Sequence, residues 1–280
     1  MTIGSALRSA ATLAGLPEGR RLPLLAPLYR LYEHRLLRQV QAGVTPRHIG
    51  LILDGNRRHA RQYRVSEPKA IYTAGADRLD DLLGWCVELA IPAITLWVFS
   101  TDNLARKPEE VSGILAAIET KMALLAEDPR IHRQRIRVRA VGRLELLPAR
   151  TLAAVRAAEA ATAGYAGMCL TIAAAYGGRQ EITDAVQALL RDQLEHGKRL
   201  EEAIDLVTTE AIGRYLYAPD LPDPDLIIRT SGEIRLSGFL LWQSAYSEFY
   251  FTDVFWPAFR RIDFLRAVRD FQRRRRRFGQ

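Results

Sequence analysis

The sequence is poor in cysteine and has no long apolar run. Its 280 residues contain two cysteines, Cys86 and Cys169, far apart and in apolar surroundings. Two thiols cannot form a disulfide framework or a four-ligand zinc site, so we expect two small buried side chains in a reducing compartment. No apolar run reaches the ~18 residues that a membrane-spanning helix needs, and no secretory signal pattern is present at the N-terminus. We therefore expect a cytoplasmic protein.

Several common enzyme signatures are also missing. The sequence has no Walker A phosphate loop, no G-x-G-x-x-G, no G-x-S-x-G and no H-E-x-x-H. These absences argue against the usual nucleotide-binding, serine hydrolase and zinc protease sites. Asp80-Asp81 lacks the third aspartate of a D-D-x-x-D metal motif. We expect this pair on a solvated helix face.

The charge balance is basic. Lysine and arginine number 40 against 32 acidic residues, which gives a net charge of +8. Such a surface favours phosphates, nucleic acid or an anionic membrane as partners. The run Arg273–Arg277 is by itself typical of a solvated face, and no nucleic-acid-reading motif accompanies it. We expect no nucleic-acid partner.

Two regions differ in composition. Residues 1–47 form a basic, leucine-rich extension, in which apolar residues recur at helical spacing over 24–40. This pattern predicts an amphipathic helix that packs on the domain, or alternatively one that lies on a membrane surface. Residues 48–280 alternate short apolar strands with helical segments. That order predicts one α/β domain with a central parallel β-sheet flanked by helices.

Polar residues follow most of the predicted strands. They are residues 54–58, 100–103, 142–143, 176–179 and 229–232. Ligands of open α/β sheets bind beyond the carboxyl ends of the strands, where all these segments would gather. The sequence therefore predicts one ligand site at that edge.

Two of these segments suit phosphate groups. Asp54-Gly55-Asn56-Arg57-Arg58 follows a strand and opens a helix, whose free N–H groups and two arginines favour an anion. Beside a diphosphate, Asp54 would hold Mg²⁺. An alternative is an aspartate N-cap followed by a solvated basic turn. The second segment, residues 229–237, carries two arginines and several hydroxyls. Glu248 lies beyond it among aromatic residues, where a buried carboxylate needs a partner or a metal.

Separated segments, in order, resemble the signature blocks of the cis-prenyltransferases, the undecaprenyl diphosphate synthase family. They are residues 48–58 (HIGLILDGNRR), 99–103 (FSTDN), 176–179 (YGGR) and 228–248. The resemblance covers roughly residues 48–279. It implies a parallel sheet flanked by helices, usually in a homodimer, and Mg²⁺-dependent condensation of isopentenyl diphosphate with an allylic diphosphate in cis geometry. A non-catalytic scaffold subunit is the alternative, but such partners lack the first-block acid that is present here as Asp54.

The resemblance also implies residue roles. Asp54 is the essential acid that helps to bind Mg²⁺, Asn103 is the catalytic asparagine, and Glu248 is the second metal ligand. The C-terminal Arg277-Phe278-Gly279 is similar to an element that can cross the dimer interface. Substrate binding is implied for Gly55, Asn56, Arg57, Arg58, Ser100, Thr101, Asp102, Arg106, Arg229, Arg235, Leu236 and Ser237.

Some positions depart from the long-chain bacterial members. His59 and Leu104 stand where those enzymes have tryptophan, and Pro68 and Tyr72 replace an arginine and a histidine. We keep His59, Tyr72 and Leu104 as substrate-binding candidates. The candidates for restoring the lost arginine charge are Lys69 and Arg64. Tyr72 and the run 237–248 resemble the short-chain (2Z,6E)-farnesyl diphosphate synthases.

Val98 is the candidate for setting product length. This position is typically alanine in long-chain relatives and bulkier in short-chain ones. Valine therefore predicts a short product, (2Z,6E)-farnesyl diphosphate from geranyl diphosphate, with a medium- or long-chain polyprenyl diphosphate as the alternative. The channel wall would include apolar residues of a helix near 109–125, which are otherwise plain core: Ile114, Leu115, Ile118, Met122 and Leu125.

Overall fold

A single parallel sheet organises the protein. The computed structural model describes residues 26–274, and within them six strands lie in the order β3-β4-β2-β1-β5-β6, all parallel. This confirms the predicted fold class. The strands are β1 (His48–Ile52), β2 (Ala93–Ser100), β3 (Arg137–Val141), β4 (Cys169–Tyr176), β5 (Leu226–Arg229) and β6 (Glu248–Phe251).

Helices cover the sheet and connect its strands. They are α1 (Ala26–Gln41), α2 (Asn56–Gln62), α3 (Pro68–Glu88), α4 (Pro108–Glu127), α5 (Pro129–Arg133), α6 (Ala149–Thr162), α7 (Gly178–Glu195), α8 (Leu200–Ile204), α9 (Thr209–Arg214) and α10 (Arg261–Arg273). Within the described residues, none is long and apolar enough to cross a membrane.

Alternate residues of the strands belong to two different apolar clusters. Leu51 and Leu96 belong to the larger cluster, whereas Ile52 and Ile227 belong to a smaller one that includes Phe239. Side chains of successive strand residues point to opposite faces, so each face of the sheet is covered. The sheet is thus a rigid base whose carboxyl edge remains the place for a ligand.

Helix α3 begins earlier than its apolar pattern indicated. The helical apolar pattern of the sequence covers only about residues 77–89, but the helix starts at Pro68. Proline suits a first helical position, and the Glu67 side chain accepts hydrogen bonds from the N–H groups of Lys69 and Ala70. This start brings the first turns of α3 to the ligand edge.

The C-terminal half of α1 packs on the domain. Leu36, Leu37 and Val40 are buried in the larger cluster, and Gln272 of α10 donates a hydrogen bond to the Val40 carbonyl over 2.8 Å. Leu28, nearer the start of the helix, is exposed. The earlier part of the predicted extension and the Arg277-Phe278-Gly279 element lie outside the described residues.

Two local expectations need correction. Cys86 is fully buried, and burial raises the pKa of its thiol, but Cys169 is only partly buried because it begins strand β4. Asp81 is exposed, as expected, whereas Asp80 forms a hydrogen-bonded ion pair with the buried Lys121 of α4. The sequence pattern of α3 alone does not show this partner, because it comes from another helix.

Candidate active site

The turn between β1 and α2 places Asp54 at the carboxyl edge of the sheet. Gly55 has a φ of 102°, and a Cβ there would lie 2.7 Å from the Phe255 ring. Only glycine fits this left-handed, crowded position. The Gly55 N–H donates to Asp54 Oδ1 over 2.7 Å, and the Asp54 N–H donates to Thr230 Oγ1 over 3.0 Å. The turn therefore holds the carboxylate in place.

Arg229 is the main partner of Asp54. It ends β5, is 4% exposed, and its Nη2 donates to Asp54 Oδ2 over 2.9 Å. Its Nη1 donates to Ser237 Oγ over 2.8 Å and to the Arg235 carbonyl. Burial raises the pKa of Asp54, but the hydrogen bond and charge of Arg229 outweigh it and hold the pKa below its usual value. Asp54 is therefore an ionised carboxylate beside a buried guanidinium.

Arg58 and Arg235 share a carboxylate that the sequence reasoning did not single out. Glu233 lies 3.2 Å from Arg58 Nη2 and 2.5 Å from Arg235 Nη1. Arg58 also donates to Ser231 Oγ over 2.6 Å. The only sequence signal was the position of Glu233 between arginines of one segment. Its charge holds two flexible arginines at the edge where β1 and β5 end.

A second polar group lies where β2 ends. Glu110, in the first turn of α4, accepts from Arg106 Nη1 over 2.6 Å and from the Tyr72 hydroxyl over 3.0 Å, with Arg57 at 3.4 Å. Burial, and then the Glu110 carboxylate, raise the pKa of Tyr72 to about 12, so Tyr72 is a neutral donor. Glu110 thus links α4 to α2 through the charge of Arg57 and to α3 through the neutral hydroxyl of Tyr72.

Asn103 is oriented by its own turn. Its Oδ1 accepts from the Ser100 N–H over 3.1 Å, and its N–H donates to Ser100 Oγ over 3.2 Å. This reciprocal cap fixes the side chain with its oxygen bonded to the backbone. The amide nitrogen is then the group with which Asn103 can donate to a ligand. A neutral amide is not a base, so its role is positioning.

Most of these groups line one cavity of about 670 Å³, a size that suits a small-molecule ligand. Among the described residues, its polar mouth has six arginines against three carboxylates: Arg57, Arg58, Arg61, Arg106, Arg229 and Arg235, with Asp54, Asp102 and Glu233. Its inner part is apolar, lined by Leu79, Leu96, Val98, Ile114, Ile118, Met122, Leu125 and Ile172. The cavity can bind an anion with an apolar tail.

Most of the predicted site residues line this cavity. They are Asp54, Gly55, Asn56, Arg57, Arg58, Tyr72, Ser100, Asp102, Asn103, Arg106, Arg229, Arg235 and Ser237. Arg61 lines it too, whereas Lys69 and Arg64, the candidates for the missing loop charge, are not among its lining residues within the described chain. The additional arginine that lines the cavity is therefore Arg61, and the two predicted candidates do not line it.

Other candidates lie elsewhere. His59 contacts Tyr63, with ring centroids 4.5 Å apart, and burial and Arg78 lower the pKa of its imidazole. Leu236 packs on the smaller apolar cluster, and Leu104 is 38% exposed. Thr101 begins the short helical turn that contains Asn103. None of these four is among the cavity-lining residues of the described chain.

Glu248 lies at the opposite end of the sheet from Asp54. It begins β6 and pairs in register with Leu226, the first residue of β5, whereas Asp54 lies beyond the level of Arg229, the last residue of β5. Its carboxylate forms an ion pair with Arg274 at 3.0 Å. Within one chain the structure therefore does not bring the two predicted metal ligands together.

Comparison with known proteins shows the family of the chain. The family model described as "Putative undecaprenyl diphosphate synthase" matches residues 52–279. An isoprenyl transferase of Deinococcus radiodurans is 54% identical over 280 residues, which cover 100% of this chain and 99% of that protein. The chain belongs to the undecaprenyl diphosphate synthase family, the cis-prenyltransferases, as the sequence resemblance predicted, and it is an isoprenyl transferase.

Relatives of similar identity carry different product names. A (2Z,6E)-farnesyl diphosphate synthase of Thermobifida fusca is 50% identical, covering 91% of this chain and 98% of that protein. A tritrans,polycis-undecaprenyl-diphosphate synthase (geranylgeranyl-diphosphate specific) of Methanopyrus kandleri is 51% identical, covering 91% and 93%. Overall identity therefore does not separate the short product from the long one.

A solved structure shares the fold. Lavandulyl diphosphate synthase from Lavandula x intermedia, in complex with dimethylallyl diphosphate, superposes with a TM-score of 0.76 at 31% identity. The match covers 84% of this chain and 99% of that one. The parallel sheet and its flanking helices are thus those of the family.

Proposed function

We propose that this isoprenyl transferase condenses isopentenyl diphosphate with geranyl diphosphate in cis geometry and releases (2Z,6E)-farnesyl diphosphate. The observation that carries the proposal is one cavity with an arginine-rich mouth and an apolar interior. Two diphosphates need several fixed cations, and a growing isoprenoid chain needs an apolar channel. The cavity offers the cations at its mouth, where the diphosphates would bind, and the apolar surface further in, where the growing chain would lie.

The arginines stabilise the charge that develops on the leaving diphosphate. Arg229 is buried and held by Asp54 and Ser237, so little reorganisation is needed when charge appears nearby. The C1–O bond of the allylic diphosphate breaks, and the isopentenyl double bond attacks C1. Asn103, fixed by Ser100, orients the isopentenyl group. A diphosphate oxygen accepts the proton that is lost, because the neutral amide of Asn103 is not a base.

Magnesium fits the donor set at the mouth. Asp54 is ionised and partly exposed, and Mg²⁺ commonly binds one or two carboxylates together with phosphate oxygens. We propose that Asp54 holds the ion with the diphosphate of a substrate. Bound there, Mg²⁺ would neutralise charge on the diphosphate. Among residues 26–274, no three His, Cys, Asp or Glu side chains form a metal site by themselves, so the diphosphate would supply the remaining ligands.

A short product is supported by the inner wall. Val98 lines the cavity close to the carboxyl end of β2, and its side chain narrows the channel more than alanine would. A medium- or long-chain polyprenyl diphosphate is the second candidate. It is favoured by the 51% identity to a relative named undecaprenyl-diphosphate synthase. We prefer the short product because Val98 is bulkier than the alanine typical of long-chain enzymes.

We further propose that the enzyme is a homodimer that pairs near β6. This strand is at the edge of the sheet, and Phe249, Tyr250 and Phe251 are only partly buried. Tyr246, just before it, is 76% exposed. An aromatic edge strand is unfavourable in water unless another surface covers it. Light scattering at micromolar concentration should give the mass of two chains, and a fully active monomer would contradict the proposal.

Product analysis tests the proposed activity. The purified protein is incubated with Mg²⁺, radiolabelled isopentenyl diphosphate and each short allylic diphosphate in turn. We expect the fastest turnover with geranyl diphosphate and a fifteen-carbon product. No label transfer with any primer would contradict prenyl transfer, whereas a fifty-five-carbon main product would contradict only the assigned chain length. Chelation of Mg²⁺ should stop the reaction.

A further inference from the structure

One charged side chain interrupts the apolar wall of the cavity. Lys121 of α4 is buried, with 8% of its surface exposed, and lines the cavity beside Ile118, Met122 and Leu125. A buried ammonium group is costly unless it is paired, and neither the proposed chemistry nor diphosphate binding uses this one. Its position therefore calls for another explanation.

Lys121 belongs to a chain of ion pairs that joins three helices. Its Nζ donates to Asp80 Oδ1 of α3 over 2.5 Å, and Asp80 Oδ2 lies 3.4 Å from Arg130 Nη2 of α5. Arg130 in turn binds Asp128 over 2.6 Å. The side chain of Asp80 is partly exposed and that of Arg130 is exposed. The Asp80–Lys121 pair therefore lies between the apolar cavity and solvent.

The pair is far from the diphosphate end. Helices α3 and α4 start side by side, because a Cβ on Gly113 would lie 2.7 Å from the Pro68 backbone, and Tyr72 bonds Glu110 near the mouth. Asp80 follows Pro68 by 12 residues, and Lys121 follows Pro108 by 13. At 1.5 Å per residue the pair is roughly 20 Å along both helices from their starts. It therefore lies in the inner part of the channel, one helical turn before Leu125, which also lines the cavity.

We propose that the Asp80–Lys121 ion pair is a charged stop in the inner wall of the channel and limits product length. The inference rests on the proposed prenyl transfer. Each added isoprene unit gains free energy by entering apolar surroundings. A unit that reached Lys121 would instead have to separate a buried charge from its partner, which is strongly unfavourable. Elongation therefore stops where the growing chain meets this charge.

Lys121→Met is the most informative variant. Methionine keeps the length and flexibility of the side chain and removes the charge, while Asp80 retains Arg130 as an ion-pair partner. Lys198→Met is the matched control, because Lys198 is exposed and belongs to the loop after α7. Each protein is supplied with excess isopentenyl diphosphate, and its products are separated by length.

We expect Lys121→Met to add at least one five-carbon unit to the longest product, with the KM for isopentenyl diphosphate unchanged. Lys198→Met should give the wild-type products. If Lys121→Met transfers prenyl groups but makes an unchanged or shorter product, the ion pair does not limit product length. The proposed function would still stand. Absence of transfer by the wild-type protein would overturn both.

Thermal unfolding tests the pair without any substrate. Asp80→Asn leaves Lys121 buried without its carboxylate, so it should lower the Tm more than Lys121→Met does. The double variant should be more stable than the sum of the two changes predicts, because neither charge is then left unpaired. Additive changes in Tm would show that the two groups do not interact, and would overturn the proposal.

Discussion

The two ends of the parallel sheet carry polar side chains of different kinds. At the amino end, charges are matched within the protein: Arg47 with Asp225, and Glu248 with Arg274. His48 is buried there between Thr95 and the Pro222 carbonyl, and burial lowers the pKa of its imidazole. These groups satisfy one another and support the fold.

At the carboxyl end, positive charge exceeds negative charge. Within the described part of the chain, six arginines and three carboxylates line the mouth of the cavity. Arg229 is buried, and its Nε has no hydrogen-bond partner among the described residues. A fold gains nothing from an excess of buried or crowded cations, so the excess indicates an anionic ligand. The matched charges at the amino end therefore support the fold, whereas the excess positive charge at the carboxyl end serves ligand binding.

The largest expected effect comes from Asp54. Asp54→Ala removes the carboxylate beside Arg229, and with it the proposed hold on Mg²⁺. We expect kcat to fall by at least ~100-fold, the loss typical of one charge-stabilising group, with the circular dichroism spectrum unchanged. Turnover near the wild-type rate would remove Asp54 from the mechanism.

Arg235→Ala should have the next largest effect. Arg235 is 60% exposed at the side chain and contacts Glu233, so its loss should not disturb the core. A charged hydrogen bond to a substrate contributes about 1.5–3 kcal/mol, which corresponds to a rise of about 10–150-fold in the KM for isopentenyl diphosphate. A fall in kcat at unchanged KM would instead mean that this side chain contacts the substrate only in the transition state.

Glu248→Ala tests whether the amino end is purely structural. Because Glu248 is paired with Arg274 and begins β6, we expect a smaller loss of activity than for Asp54→Ala. Steady-state rates over a range of Mg²⁺ concentrations measure this. An equal loss, with a raised Mg²⁺ requirement, would mean that Glu248 reaches a metal site in an assembly of chains.

Val98→Ala changes the channel and leaves both ends of the sheet intact. The smaller side chain opens space between sheet and helices, so we expect longer products at a similar rate of diphosphate use. Thin-layer separation of labelled products after phosphatase treatment gives the lengths. An unchanged distribution would exclude Val98 as a determinant of length.

The smallest expected effect is on the pH dependence of stability. The pKa of Asp54 is lowered, so its stabilising contribution is present above the unfolded pKa of about 3.9 and is lost as pH falls through the folded value. The difference in Tm between wild type and Asp54→Asn should therefore stay constant at neutral pH and shrink only in acid. A difference that disappeared near neutrality would contradict the lowered pKa.

Much of the carboxyl end could be predicted because of its topology. In a parallel sheet every strand ends at the same edge, so Asp54, Asn103 and Arg229 converge even though they are distant in sequence. Glu248 lies at the amino end of the sheet, because it is the first residue of strand β6 and does not follow the end of a strand. That four-residue strand was hidden in an aromatic stretch and was not predicted.

The remaining site residues depend on contacts between elements. Arg61 reaches the cavity from α2, and Glu233 lies between Arg58 and Arg235, which belong to different segments. The Lys121–Asp80 pair joins two helices beside the channel. A sequence gives the periodicity within each helix but not which residue of the next helix faces it.

The most direct test of the central claim is calorimetric binding of isopentenyl diphosphate to matched variants at the two ends. Arg229→Met changes the carboxyl end, and Arg47→Met makes the same change at the amino end, where Arg47 is 73% exposed at the side chain. We predict that Arg229→Met weakens binding at least ~10-fold, as expected for a lost charged hydrogen bond, while Arg47→Met binds like the wild type. Equal affinities for all three proteins would contradict the assignment of the arginine-rich edge as the diphosphate site.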